Sequence, residues 1–140
     1  GYRHWGHDIT DEETPLEGGL GFAVDWDKPD GFIGRDALLE QKAGDLNKRL
    51  VQFQLNDPEP LLYHNEPIFR EGEIVGYITS GMYGHHLGGA IGLGYVHNDG
   101  GIDAAYVTEG SFEVLVAGEM VAASASLRPL YDPKSERIKV

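Results

Sequence analysis

The chain has 140 residues, 23 acidic against 11 basic, for a net charge of −12, with 41% hydrophobic residues and no cysteine. This length suits one domain, or one domain and a piece of a second, and a core that buries about two-thirds of the unfolded surface, so disorder is not expected. The acidic balance argues against nucleic acid and anionic membranes, the missing cysteines remove disulfides and thiolate chemistry, and no apolar run approaches the roughly 18 residues of a membrane span.

The chain opens on Gly1-Tyr2-Arg3-His4-Trp5, with no initiator methionine and no signal-peptide core, as expected of a piece of a longer protein. Residues 1–46 hold eleven acidic and four basic side chains, residues 47–140 twelve and seven. In the first stretch, Thr14-Pro15-Leu16-Glu17 has three marks of a helix start: a Thr cap, Pro at the first helical position, and Glu three residues after the cap. Gly18, Gly19 and Gly21 stop it early. Phe22-Ala23-Val24 reads as a short extended piece. Gly34 to Ala43 reads as a helix, with Asp36 near its start and Lys42 near its end complementing the dipole. Leu38, Leu39 and Ala43 are its inward-facing candidates, and Gly44 is its natural stop.

From residue 49 onward the period changes to two. Val51, Phe53 and Leu55 alternate with Gln52 and Gln54, as in a half-buried strand. Asp57-Pro58-Glu59-Pro60 is a loop. Ile68-Phe69-Arg70 and Glu73-Ile74-Val75 flank Glu71-Gly72, the pattern of a tight hairpin. Ile74 to Ser80, Ala90 to Val96, Phe112 to Val116 and Met120 to Leu127 supply further strands. Half of the 20 glycines lie between Gly72 and Gly101, and Gly92 and Gly94 share one strand face, where a neighbour can approach closely. The expected fold is mainly β: an antiparallel β-barrel over residues 47–140, preceded by a short α+β linker segment over residues 1–46.

Chemistry is less legible. His4, His7 and Asp8 could offer three metal ligands from one short segment, but such spacing is weak without a distant ligand, and no metal site is assigned. His85 and His86 are consecutive, so in extended chain they point to opposite faces. The glycine-rich stretch Gly81 to Gly89 lacks the Lys-Ser or Lys-Thr of a phosphate cradle and reads as a turn excursion between strands. Asp11-Glu12-Glu13 and Asp25/Asp27/Asp30 read as solvated carboxylates, since acid–base pairs need one desolvated member. Ser80 lacks the surroundings of a nucleophile elbow. No catalytic residue is assigned.

Five motifs in order give a resemblance across essentially the whole chain. They are Tyr2-Arg3-His4-Trp5-Gly6-His7-Asp8-Ile9-Thr10 with Thr14-Pro15-Leu16-Glu17-Gly18-Gly19-Leu20-Gly21; Phe32-Ile33-Gly34-Arg35-Asp36-Ala37-Leu38; Gly76-Tyr77-Ile78-Thr79-Ser80-Gly81; Leu87-Gly88 with Gly92-Leu93-Gly94-Tyr95-Val96; and Pro129-Leu130-Tyr131-Asp132-Pro133. The sequence resembles the C-terminal part of the glycine-cleavage T-protein (aminomethyltransferase) family. Trp5-Gly6-His7-Asp8 and Tyr83-Gly84-His85 are closest in style to the T-protein-like portion of dimethylglycine and sarcosine dehydrogenases.

The resemblance implies a three-lobed protein around a channel for tetrahydrofolate, which accepts a one-carbon unit, with a β-barrel as the last lobe. Residues 1–46 would end the preceding folate-binding lobe. The carboxylate that assists capture, most of the pterin pocket and the pocket arginine lie upstream; Arg3 is not that arginine by motif position. The chain is therefore expected to complete one wall of the channel without catalysing alone. Its partners would be the upstream lobes of the same polypeptide and the folate. FAD would belong only to a further N-terminal domain, and the compartment would be the cytoplasm, or the mitochondrial matrix in a eukaryote. Tyr2 and Trp5 are candidates to border the folate because aromatic faces stack on flat rings. His7 and Asp8 follow on the same segment, and Tyr83 with His85 lies in the expected inter-strand loop. Asp8 could instead tie down a turn, and Trp5 could pack on the barrel. Three alternatives stay open: a T-protein-like demethylase for another methylated substrate such as a sulfonium compound, a non-catalytic scaffold or docking barrel, and a metal-binding module.

Overall fold

The computed structural model describes residues 1–139. Six strands close into an antiparallel barrel: β1 (Lys48–Leu55), β2 (Pro67–Arg70), β3 (Glu73–Gly84), β4 (Gly89–His97), β5 (Phe112–Val116) and β6 (Glu119–Ser126), in the ring order β1-β4-β3-β2-β5-β6 with β6 returning to β1. Closure leaves no unpaired edge. The alternation expected along Val51, Phe53 and Leu55 is present, with all three buried and Gln52 and Gln54 only half-buried.

The turns follow local chemistry. Glu71 and Gly72 both have positive φ, 53° and 87°, and join the paired residues Arg70 and Glu73. Ala117 and Gly118 repeat the arrangement at 51° and 91° between Val116 and Glu119. Two central residues in the left-handed region match the right-handed twist of a hairpin.

Side chains fill the barrel. Phe53, Ile68, Ile78, Val96 and Val114 are completely buried, and Phe53 meets Phe112 edge-on at 5.5 Å. Glycines let the walls close around them. A methyl group on Gly76 would lie 1.8 Å from the Tyr95 carbonyl oxygen, and one on Gly94 would lie 2.7 Å from both the Ile68 side chain and the Tyr77 carbonyl oxygen. The middle of the barrel is thus a packed core and not a passage for a ligand.

Several elements differ from expectation, most of them in the first 46 residues. The Thr14 helix start yields a single turn. Its capping box forms, with the Glu17 N–H donating to Thr14 Oγ1 at 3.2 Å and the Thr14 N–H donating to Glu17 Oε2 at 2.9 Å, but Gly19 turns left-handed at φ 66°. Gly21–Ala23 is a 3-10 turn and not an extended piece, because the Ala23 N–H finds the Leu20 carbonyl at 2.9 Å and no strand lies alongside. Helix α1 (Arg35–Ala43) stands where it was expected, yet it buries nothing: Leu39 and Ala43 are exposed and Leu38 is half-buried. A short helix, α2 (Ala104–Thr108), was not foreseen; Asp103 caps it by accepting the Tyr106 N–H at 2.7 Å. The expected loop around residues 81–89 is mostly strand, since β3 runs through Gly84 and only residues 85–88 turn.

Candidate functional site

Asp8 is the buried charged residue around which the leading segment is organised; it is 1% exposed. Among the described residues its carboxylate forms no salt bridge and is satisfied by neutral donors. Oδ2 accepts the His4 N–H at 2.8 Å, and Oδ1 accepts the Thr79 hydroxyl at 2.5 Å together with the Ser80 hydroxyl. The Tyr95 hydroxyl donates to the Asp8 carbonyl at 2.9 Å. A buried carboxylate is tolerable only when its lone pairs are filled in this way.

The presence of both hydroxyls on one oxygen has a geometric cause. Consecutive residues of a regular strand point to opposite faces. The β3–β4 pairing shifts register between Ile78 and Ser80, so Thr79 sits in a bulge, and the bulge swings its side chain toward the same carboxylate that Ser80 reaches. The Thr79 hydroxyl oxygen also lies 3.1 Å from the Leu93 carbonyl, a second acceptor within reach of its single proton, which sets it against β4. The aspartate, a bulge in β3 and a tyrosine of β4 form one latch between residues 4–9 and the outside of the barrel.

Polar contacts around the latch extend it. Arg3 donates to the Gly18 and Gly19 carbonyls at 2.9 and 3.2 Å, so its guanidinium is committed to backbone. Burial lowers its pKa. Lys48 pairs with Glu13 at 2.7 Å, and Glu13 also accepts the Thr10 N–H and hydroxyl. The bond from Lys48, with those from Thr10, holds the Glu13 carboxyl below its ordinary value. Burial first, and then the carboxylates of Glu13, Glu17 and Asp8, push the Tyr95 hydroxyl far above its ordinary value of 10, so it remains a donor. Lys48 also lies 4.7 Å from the centre of the Tyr95 ring.

The other expected site residues fall into two groups. Tyr2 and Trp5 project from the latched segment, 84% and 68% exposed. The exposed His7 stacks on His4 at 4.5 Å with the rings nearly parallel. Tyr83 and His85 meet edge-on at 5.2 Å near the tip of the β3–β4 hairpin, but Tyr83 lies on β3 itself and not in a loop; only His85 is in the turn. Among the described residues no ring–ring contact joins the two groups.

Asp8 faces the hydroxyls of β3 and not the two imidazoles, and among the described residues no three His, Asp or Glu side chains come close enough to hold a metal ion. A cleft of about 530 Å³ lies elsewhere, between the end of α1 and the β4–α2 connection, bordered by Gln41, Lys42, Asp45, Arg49, Asn98 and Tyr106. None of the six expected site residues lines it. Thr79, Ser80 and Tyr95 were missed as partners of Asp8. The available signal was two adjacent hydroxyl residues inside an otherwise apolar strand.

Comparison with known proteins gives consistent matches. The family model of the glycine cleavage T-protein C-terminal barrel domain matches residues 48–132. The chain is 42% identical over 139 residues to 4-methylaminobutanoate oxidase (formaldehyde-forming) from Paenarthrobacter nicotinovorans, covering 99% of this chain and 16% of that protein. It is 35% identical over 141 residues to human mitochondrial sarcosine dehydrogenase, covering 99% of this chain and 15% of that one. The solved structure of the glycine cleavage system aminomethyltransferase T from Bartonella henselae superposes with a TM-score of 0.72 at 26% identity, over 88% of this chain and 33% of that one. The chain thus spans about a sixth of the length of the first two relatives.

Proposed function

The chain belongs to the glycine cleavage T-protein C-terminal barrel family, and from that membership we propose that it completes one wall of a tetrahydrofolate site in a longer one-carbon enzyme, with no catalytic centre of its own. The observation that carries this reading is the Asp8 latch. It immobilises the segment bearing Tyr2 and Trp5 while leaving both rings in solvent. A bare aromatic face held in one place loses little freedom when it stacks on a flat heterocycle.

The fit to folate differs between the two ends of that molecule. The aromatic side chains suit its pterin and benzoyl rings. Its glutamate carboxylates meet a chain of net charge −12 whose Arg3 is engaged by backbone carbonyls, so the cations for that tail belong to the upstream lobes. Tetrahydrofolate, when bound, accepts the one-carbon unit. The residues of this chain border and orient it. If the longer enzyme is of the dehydrogenase type, its flavin belongs to the N-terminal domain.

A second reading, the non-catalytic scaffold, is favoured by the packed barrel interior, which leaves a ligand only the outer surface. Calorimetric titration of 5-formyltetrahydrofolate separates the two. The longer polypeptide is expected to bind while the 140-residue chain alone does not, and Trp5→Ala in the longer polypeptide weakens binding about tenfold, which is about 1.4 kcal/mol. Unchanged affinity in both Trp5→Ala and Tyr2→Ala selects the scaffold.

A further inference from the structure

The cleft between the end of α1 and the β4–α2 connection lies apart from the Asp8 latch, and backbone pairing fixes its walls. The Ile102 N–H donates to the Leu46 carbonyl at 2.8 Å and the Asn98 N–H to the Asn47 carbonyl at 2.9 Å, which ties the connection to the residues entering β1. The Asn98 side-chain amide closes the turn by donating to the Gly101 carbonyl at 2.5 Å. Gly101 has φ 85°, and a methyl group there would lie 2.9 Å from the Asp45 Cβ, so glycine lets Asp45 rest against the turn. Arg49, half-buried on β1, spends one guanidinium nitrogen on the Ile102 carbonyl at 3.2 Å. Burial lowers its pKa, and the nearby Asp103 opposes that shift. Asp103 accepts the Tyr106 N–H on Oδ1, which leaves its other oxygen, and Lys42 is held 4.0 Å over the Trp26 ring.

Four charged side chains, two of each sign, thus border one cleft of about 530 Å³, and among the described residues none of them forms a salt bridge. The planar fork of an arginine with donors to spare suits a carboxylate. A simple anion in the cleft would meet Asp45 and Asp103, and a simple cation would meet Arg49 and Lys42. A molecule carrying both charges finds a partner for each. The half-buried Leu16 and Tyr106 add apolar surface, and the volume falls in the range of small-molecule sites. We propose that the cleft binds a small zwitterion, an amino acid with an apolar side chain, its carboxylate on Arg49 and Lys42 and its ammonium on Asp45 and Asp103.

Amide NMR spectra of the 140-residue chain, titrated with L-leucine, test this. Saturable shifts are expected in residues 42–46 and 98–103, with a Kd of about 1 mM, while residues 4–9 stay unmoved. 4-Methylpentanoate, which lacks the ammonium, and 3-methylbutylamine, which lacks the carboxylate, are expected to bind about tenfold more weakly or worse. Arg49→Gln is expected to weaken leucine by about the same factor. Because that variant also loses the bond to the Ile102 carbonyl and could disturb the fold, the exposed Asp45→Asn is read beside it. It is expected to weaken leucine and strengthen 4-methylpentanoate, a reversal that a merely structural role would not produce. Absence of shifts at about fifty times the expected Kd overturns the proposal. So does equal binding of leucine and 4-methylpentanoate, since the cleft is then an anion site. Calorimetry on the longer natural polypeptide is expected to show a leucine heat that Asp45→Asn diminishes; without one, the preceding portion of the polypeptide covers the cleft and the proposal falls. No folate is present in these titrations, so their outcome is independent of the folate reading.

Discussion

The barrel and the leading 46 residues are held by different physics. The barrel strands bury Phe53, Ile68, Ile78, Val96 and Val114 completely, so their stability is apolar and cooperative. In residues 1–46 the buried residues are Asp8 and Gly18, and the segment is fixed by a carboxylate on two hydroxyls, an arginine on two carbonyls and a lysine–glutamate pair. Polar contacts hold the leading segment with Tyr2 and Trp5 exposed, whereas in the barrel Phe53 and Phe112 are buried against each other.

The largest effects are expected inside the barrel, where substitutions lower the whole transition. Phe53→Ala leaves a cavity against Phe112 and costs about 3–5 kcal/mol in urea unfolding. Gly76→Ala forces a methyl group against the Tyr95 carbonyl oxygen and costs about 3 kcal/mol by the same measurement. If either leaves the midpoint unchanged, the packing described for β3 and β4 is wrong.

Asp8→Ala is expected to act locally. It strands the Ser80 hydroxyl and the His4 N–H, leaves the Thr79 hydroxyl only the Leu93 carbonyl, costs about 2 kcal/mol, and speeds exchange of the amides of residues 4–10 while the barrel amides stay protected. Asp8→Asn retains the acceptor for the hydroxyls but sets an amide N–H₂ against the His4 N–H, so a smaller loss is expected. Barrel exchange rising equally with that of residues 4–10 would merge the two regions into one cooperative unit.

The smallest effect is electrostatic. The Glu13 carboxyl has a folded pKa below its ordinary 4.5 because of Lys48 and Thr10. Its contribution is therefore complete above the unfolded value and is lost as pH falls through the lower folded one. Glu13→Gln should cost under about 1 kcal/mol at neutral pH, as for other partly exposed pairs, and flatten the acid limb of a pH–stability curve. An unchanged acid limb would remove the Glu13–Lys48 pair from the account.

The six strands and the Glu71-Gly72 turn were legible because period-two burial and left-handed turn residues are local signals. Helix α2 was not, since five residues carry no periodicity and only the Asp103 cap marks them. Tyr83 was assigned to a loop because Gly81, Gly84, Gly88 and Gly89 look like turn residues; Gly81 instead allows close approach, with Leu62 against it, and β3 continues through Gly84. The exposure of Leu39 and Ala43 could not be read from the amphipathic spacing of α1, because spacing says which residues share a face and not what lies opposite. Asp8 as a turn-tying residue was one of two readings of its motif. The Thr79 bulge that decides its surroundings depends on long-range pairing with β4.

The central distinction is tested most directly by amide exchange across the 140-residue chain at increasing sub-denaturing urea. The expected result is that amides in residues 48–126 exchange only through global opening, with a steep urea dependence. Those in residues 1–46 should exchange through local openings that urea barely changes. Equal protection and equal urea dependence on both sides of residue 46 would contradict it, and would make the leading segment part of the barrel's cooperative core.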